Sequence, residues 1–220
     1  MTNVAPDGSP VAVYKALPVE PDLGLVRSVL RPGATVLDLG TGVGRIANAL
    51  ARAGHTVVAV DNAPIMLAEV VGAEPVLGDV YTLNLGRRFD AVLALSHLID
   101  SRVRAQRRDL LRVCRRHVHD DGVVLVQRYP RGWTPVEGGA NTIGDIGVHL
   151  HDVEMLGDGF AAQVTYSIGD RDWTQVFEAA VVDDAELTAL AAEAGLVVRE
   201  MLDDDGAWVV LEPVPAPASR

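Results

Sequence analysis

Three glycines at alternate positions, Gly40, Gly42 and Gly44, separate the run Val36-Leu37-Asp38-Leu39 from a helix-forming stretch that starts at Arg45. Glycine leaves no side chain between backbone and ligand, and a helix that follows such a turn aims its free N–H groups at any polar group there. The junction is a place for a nucleotide-type ligand. Asp61 ends a second apolar run, 21 residues after Gly40. A carboxylate so placed can accept hydrogen bonds from both hydroxyls of a ribose, so turn and acid together point to an adenosine-containing cofactor. A dinucleotide fingerprint wants glycine or alanine where this chain has Arg45, whose bulk opposes the close packing of a pyrophosphate site. Asp38 is an acid inside an otherwise apolar run, which is costly without a partner. Farther along, His97 follows Ser96 at the end of another apolar run, and imidazole is the side chain best suited to proton exchange near neutrality.

These residues need elements that hold them in place, and the apolar periodicity supplies them. Strands are expected at 35–39, 56–60, 74–77, 89–95 and 123–128, with helices at 44–53, 64–70 and 103–117. Near-continuous apolar strands alternating with helices predict a Rossmann-like, mostly parallel seven-stranded sheet with helices on both faces. Ligands of such sheets lie beyond the carboxyl ends of the strands, where the glycine turn, Asp61 and His97 all fall.

After Arg128 the rhythm changes. A Pro- and Gly-rich stretch, 129–144, leads into three partly alternating runs at 147–156, 161–168 and 173–182, which read as a small antiparallel three-stranded insert. A helix over 184–194 follows, with Asp183 or Asp184 as its N-cap, and then a final pair of strands at 196–201 and 207–211. The tail from Pro213 reads as frayed. The whole is expected to be one domain: an N-terminal lid over 1–31, a cofactor-binding core over 32–129, the insert over 145–182 and a C-terminal helix with the last strand pair over 183–212.

Composition narrows the function classes. Nearly half the residues are apolar (49%), which argues against disorder. Residues 1–136 carry 16 Lys or Arg against 13 Asp or Glu, whereas residues 137–220 carry 3 against 17, giving a net charge of −11. So acidic a chain is a poor partner for nucleic acid. Seven arginines crowd 102–116 without interleaved aromatics, so they read as a solvated helix face. No stretch has the apolar length of a membrane span and the start has no leader pattern, so a soluble cytoplasmic protein is expected. Cys114 is the single cysteine, excluding an intrachain disulfide, and reads as a buried spectator. His149 and His151 would share a strand face, but no third ligand has convincing spacing, so no metal is expected.

Four segments, VLDLGTGVGR (36–45), VVAVDNAPIML (57–67), GDV (78–80) and FDAVLALSHL (89–98), resemble in order the first four motifs of the class I S-adenosylmethionine-dependent methyltransferases. The resemblance extends over most of the chain and implies S-adenosylmethionine as cofactor and in-line methyl transfer to a small-molecule acceptor. It implies that Gly40, Gly42 and Gly44 line the methionine portion, that Asp38 holds its ammonium, and that Asp61 grips the ribose. Asn62 and Met66 would flank the adenine, Asp79 and Val80 would meet its polar edge, and Leu95 and Ser96 would lie near the sulfonium. Tyr14 would close over the cofactor from the lid.

Structural alternatives stand beside several of these. Asp38 or Asn62 could cap a helix, Asp79 could be a turn acid, and Met66 could be ordinary core. His97 is the candidate for the acceptor side, either as catalytic base or as a residue framing the pocket. Arg128, Tyr129 and Trp133 are expected on the acceptor wall, and Tyr166 and Trp173 on the insert above it. The insert could equally serve a homodimer interface. An NAD(P)-dependent oxidoreductase on a related sheet, or a cofactor-binding protein of the same fold without transfer activity, are the competing functions.

Overall fold

A computed structural model describes residues 3–215; the last part of the tail, 216–220, lies outside the described residues. In chain order the elements are α1 (Val11–Ala16), α2 (Asp22–Ser28), β1 (Thr35–Leu39), α3 (Arg45–Arg52), β2 (Thr56–Asp61), α4 (Pro64–Leu67), β3 (Glu74–Leu77), β4 (Phe89–Ala94), a 3-10 turn (Leu98–Asp100), α5 (Arg104–His117), β5 (Val118–Gln127), β6 (Ala140–Ile143), β7 (Ile146–Leu156), β8 (Gly159–Ile168), β9 (Arg171–Ala180), α6 (Asp184–Glu193), β10 (Leu196–Met201) and β11 (Trp208–Pro213). Seven strands form one sheet in the order β10-β11-β5-β4-β1-β2-β3. The strands from β5 to β3 run parallel, and β11 enters antiparallel between β5 and β10.

Burial explains why the parallel strands read as unbroken apolar runs. Side chains of a strand alternate between faces, and here both faces are covered. Leu37, Leu39, Val92 and Val124 pack with Leu110, Leu111 and Cys114 of α5 and Leu187 and Leu190 of α6. Val36, Val57, Ala59 and Leu93 pack on the other side with Leu23 and Val26 of α2 and Ile46 and Leu50 of α3. The segment expected to be only a lid therefore contributes α2 to the core layer. Helix α6 is capped by Asp183, whose carboxylate accepts the Glu186 N–H at 2.8 Å.

The order of crossing places the site. From β1 the chain moves outward through β2 to β3, then returns to lay β4 on the opposite side of β1. At this switch point the connections leaving β1 and β4 diverge and open a crevice. The glycine turn leaves β1, and Ser96 and His97 leave β4.

The second sheet is antiparallel, in the order β6-β7-β8-β9. It has a fourth strand where sequence periodicity reads a connection. β6 is four residues long and exposed throughout, so it carries no apolar alternation, and it is held by backbone pairing of Ala140 to Ile143 with His149 to Ile146. β7 changes register between His151 and Glu154, with Asp152 at φ 52°, as a bulge does.

Candidate active site

The turn after β1 is built from glycines for a backbone reason. Gly40, Gly42 and Gly44 have φ of 65°, 55° and 76°, a region that side-chain-bearing residues rarely adopt. At Gly40 a Cβ would also stand 2.8 Å from Leu98 Cδ1. Asp61, at the end of β2, clamps the turn from beside it: its carboxylate accepts the Gly42 N–H at 2.8 Å and the Ala63 N–H at 2.9 Å. Arg45 points away from the turn and binds the Pro18 carbonyl and the Asp22 carboxylate, both at 2.7 Å, fastening the N-terminal segment to α3.

Asp38 is buried, and among the described residues its carboxylate has one hydrogen-bond partner, the Thr41 hydroxyl at 2.6 Å. It does not cap α3, whose N-cap is Gly44. Burial pushes its pKa up to about 6, partly offset by the Thr41 hydrogen bond and by Arg45. A carboxylate so short of partners is suited to receive a cation. Asn62 is exposed beside Asp61 and does not cap α4, whose N-cap is Ala63. Met66 is buried among Ala5, Val11, Val43 and Ala63, with Tyr14 against the same cluster, so its core role is realised. Asp79 is exposed and accepts the Tyr81 N–H at 2.7 Å, the turn arrangement, while Val80 packs on the α5 side of the core.

Beyond the turn lies a cavity of about 1090 Å³ between the carboxyl end of β4 and the antiparallel sheet. Two residues join it to the glycine turn. Leu98 lines the cavity and abuts Gly40; Tyr14 lines it and its ring lies 3.9 Å from the Cβ position of Gly42. Burial raises the phenol pKa of Tyr14, of Tyr129 and of Tyr166, so these three lining tyrosines are protonated donors near neutrality. The His97 imidazole shares the same lining.

His97 is held in an unusual conformation. Ser96 and His97 have φ of 53° and 63°, consecutive left-handed residues that are not glycine, each costing on the order of 1–3 kcal/mol. Side chains from later in the chain hold them there. The Gln127 carbonyl accepts the Ser96 N–H at 2.9 Å. His97 Nδ1 lies 3.1 Å from Asp100 Oδ2, and its ring stacks on Tyr129 at 4.3 Å, which stacks in turn on Trp133 at 4.0 Å. Asp100 is fully buried and also accepts the Tyr129 N–H at 2.9 Å and the Val182 N–H at 3.4 Å. An Nδ1–H donated to Asp100 leaves Nε2 with its lone pair free to take a proton. Sequence reading passes over Asp100, whose partners Tyr129 and Val182 lie 29 and 82 residues away in sequence.

The expected acceptor wall is only partly assembled. Tyr129, Trp133 and Tyr166 line the cavity. Arg128 does not reach it: its side chain is buried, donates to the Gly206 carbonyl at 2.9 Å and the Val182 carbonyl at 2.8 Å, and pairs with Asp184. Position at a strand end suggested a pocket residue, but those partners turn the guanidinium toward the C-terminal strands. Trp173 is likewise outside the lining and lies under the Arg171 guanidinium at 4.8 Å. The arginine face of α5 is paired with the chain's own acids, including Arg104 with Glu193 at 2.8 Å and Arg107 with Glu186 at 3.1 Å. Cys114 is buried and its thiol is pushed up to about 12, so it is inert. His149 stacks on His151, which is hydrogen-bonded to Thr165 at 2.9 Å, and no cluster of three metal-binding side chains occurs among the described residues.

Residues 36–122 match a family described as a methyltransferase domain. The sequence matches no curated protein. Among solved structures, the chain is similar to the CcbJ methyltransferase from Streptomyces caelestis, at 21% identity over 98% of this chain and 100% of that one, with a TM-score of 0.78. It is similar to CalS10 from Micromonospora echinaspora, an amino pentose methyltransferase solved with S-adenosylmethionine bound, at 22% identity over 91% and 94% of the two chains (TM-score 0.73). It is also similar to the sugar N-methyltransferase KedS8 from Streptoalloteichus, at 21% identity over 92% and 91% (TM-score 0.71).

Proposed function

With residues 36–122 forming a class I S-adenosylmethionine-dependent methyltransferase domain, we propose that this chain methylates an amine nitrogen of a small-molecule acceptor bound in the cavity between His97 and the antiparallel sheet. The observation that carries this reading is the continuity of the two halves: Tyr14 and Leu98 belong both to the surroundings of the glycine turn and to the lining of the cavity. The amine assignment is supported by the lining, which includes the carboxylate of Asp7 and, among the described residues, no lysine or arginine. Two of the structural neighbours are described as acting on an amino pentose or on a sugar nitrogen.

When bound, S-adenosylmethionine supplies a methyl group on a positively charged sulfur. The residues present fit it. Asp38, the under-partnered carboxylate, would take its ammonium; the three glycines would let its methionine portion approach the backbone; Asp61, already fixed by two N–H groups, would keep lone pairs for the ribose. Asn62, Asp79, Val80, Leu95 and Ser96 would complete the surround, with Tyr14 closing the lid formed by the N-terminal segment. On the acceptor side, an ammonium must lose a proton before its nitrogen can attack. His97 Nε2 would take that proton, and Asp100 would hold the ring and stabilise the imidazolium that forms. Tyr129 and Trp133 would wall off water, which strengthens the alignment of nitrogen and methyl.

Calorimetric titration with S-adenosylhomocysteine and with NADH, followed by transfer of labelled methyl to a panel of amines, phenols and carboxylates, tests this reading. S-adenosylhomocysteine binding and label on amines are expected. Binding of NADH alone, or label confined to phenols or carboxylates, would contradict it.

A further inference from the structure

Gln175, Phe177 and Ala179 share one face of β9, in register with Val164, Ala162 and Phe160 of β8. Gln175 is the polar member of that apolar set and is buried, so its amide needs partners inside the protein. They come from the other end of the chain. Gln175 Nε2 donates to Ser9 Oγ at 3.1 Å and to the Asp7 backbone carbonyl at 3.4 Å. A carbonyl can only accept, which fixes the nitrogen of the amide on that side. The Ser9 hydroxyl gives its own proton to Asp7 Oδ2 at 2.8 Å, and the Ser9 N–H donates to Asp7 Oδ1 at 3.0 Å, so Ser9 meets the amide as an acceptor. Among the described residues these two bonds from Gln175 are the only hydrogen bonds between the antiparallel sheet and residues 3–16.

The segment they hold covers the donor side. Ala5 and Val11 are buried with Val43 of the glycine turn and with Ala63 and Met66, and Tyr14 packs on the same cluster. The Tyr14 ring lies 3.9 Å from the Cβ position of Gly42, and its hydroxyl oxygen stands 3.5 Å from Ser9 Oγ. Backbone bonds make residues 5–14 one piece: the Ala5 N–H donates to the Ser9 carbonyl at 2.8 Å, and the Tyr14 N–H to the Pro10 carbonyl at 3.2 Å. Helix α1 within it has six residues, too few to be stable without outside support. What fixes Ser9 therefore also fixes Tyr14.

Resting on the S-adenosylmethionine site described above, we propose that Gln175 is a positioning residue for the donor: through Ser9 it holds residues 5–14 closed against the glycine turn. A side chain of the acceptor-side sheet then sets how tightly the donor is kept. Its action runs through Ser9 and Tyr14.

Gln175→Leu keeps most of the buried volume and removes both donated hydrogen bonds. Calorimetric titration should show S-adenosylhomocysteine binding weakened roughly tenfold, the combined effect of two neutral hydrogen bonds. Hydrogen exchange of the S-adenosylhomocysteine complex should speed up at the amides of residues 5–14 and stay at the native rate in β8 and β9. In a Tyr14→Ala background, Gln175→Leu should add less than about twofold to the loss of affinity. Ser9→Ala, which removes the acceptor and leaves Gln175 in place, should weaken binding about threefold and serves as the test if Gln175→Leu does not fold. Unchanged affinity in the folded variant, faster exchange confined to β8 and β9, or losses at Tyr14 and Gln175 that add in full would overturn the proposal. Failure of the native protein to bind S-adenosylhomocysteine would instead overturn the donor-site reading on which it rests.

Discussion

The parallel and antiparallel sheets of this protein solve opposite problems. In the parallel sheet every central strand is covered on both faces, and polar groups at its carboxyl edge come from residues adjacent in sequence to the strands that present them. The glycine turn follows β1 directly and Asp61 ends β2. In the antiparallel sheet the strands are half exposed, and the cavity beneath them is assembled from distant pieces. Asp100 ties His97 to Tyr129 and to Val182, while Gln175 of β9 reaches back to Ser9 at 3.1 Å. One sheet carries a locally encoded edge of polar groups. The other forms one wall of a pocket that is assembled only by folding.

That contrast yields its largest expected effect at His97, the point where the two regions meet. His97→Gln should lower kcat roughly 100- to 10,000-fold, the usual share of a general base, while leaving S-adenosylhomocysteine affinity intact. Asp100 acts through His97, so Asp100→Asn should lower kcat in a background that has His97 and add nothing to His97→Gln. Additive losses in that cycle would make Asp100 a structural residue only.

On the parallel side, Asp61→Ala removes the clamp on Gly42 and the expected ribose contacts. Loss of hydrogen bonds to a charged group predicts about 10- to 100-fold weaker S-adenosylhomocysteine binding by calorimetry. Unchanged affinity would show that the acid serves the turn alone.

Asp38 gives a smaller effect with a defined sign. Its carboxyl is raised to about 6 by burial, so between the ordinary carboxylate value and pH 6 the ligand-free protein holds a proton that the unfolded chain has lost. Ligand-free stability therefore falls as pH rises through that window. A cationic ligand needs the ionised form, present above pH 6. Donor affinity should accordingly weaken roughly tenfold from pH 7 to pH 5, with proton release on binding in the acidic range, and Asp38→Asn should flatten that dependence. A flat profile in the native protein would detach Asp38 from the ligand's charge.

Arg128 sets the lower limit. Because its guanidinium is consumed by Gly206, Val182 and Asp184, Arg128→Met should cost roughly 3 kcal/mol of stability in a denaturant titration and leave kcat/KM within about twofold. A large loss of turnover at full stability would place it back in the acceptor site.

The same contrast explains what could be read from the residues alone. The glycine turn, Asp38, Asp61 and the strand ends were legible because each lies in, or directly after, the strand that presents it. Both-face burial also writes itself into sequence as unbroken apolar runs. β6 left no trace because its four residues are exposed and held only through the backbone. Arg128 and Trp173 were placed by position, and position does not say which way a side chain turns. Arg128 turns toward partners 54 to 78 residues away in sequence. Asp100 was missed because its carboxylate gains meaning only when Tyr129 and Val182 arrive beside it.

Delivery of a methyl group from the edge of one sheet into the cavity beneath the other is the step to be tested most directly. Protein preloaded with methyl-labelled S-adenosylmethionine should pass its label to an amine nitrogen in a single turnover, and His97→Gln should bind the same donor and retain the label. Transfer by His97→Gln at the native rate, or failure of the native protein to bind the donor, would contradict it.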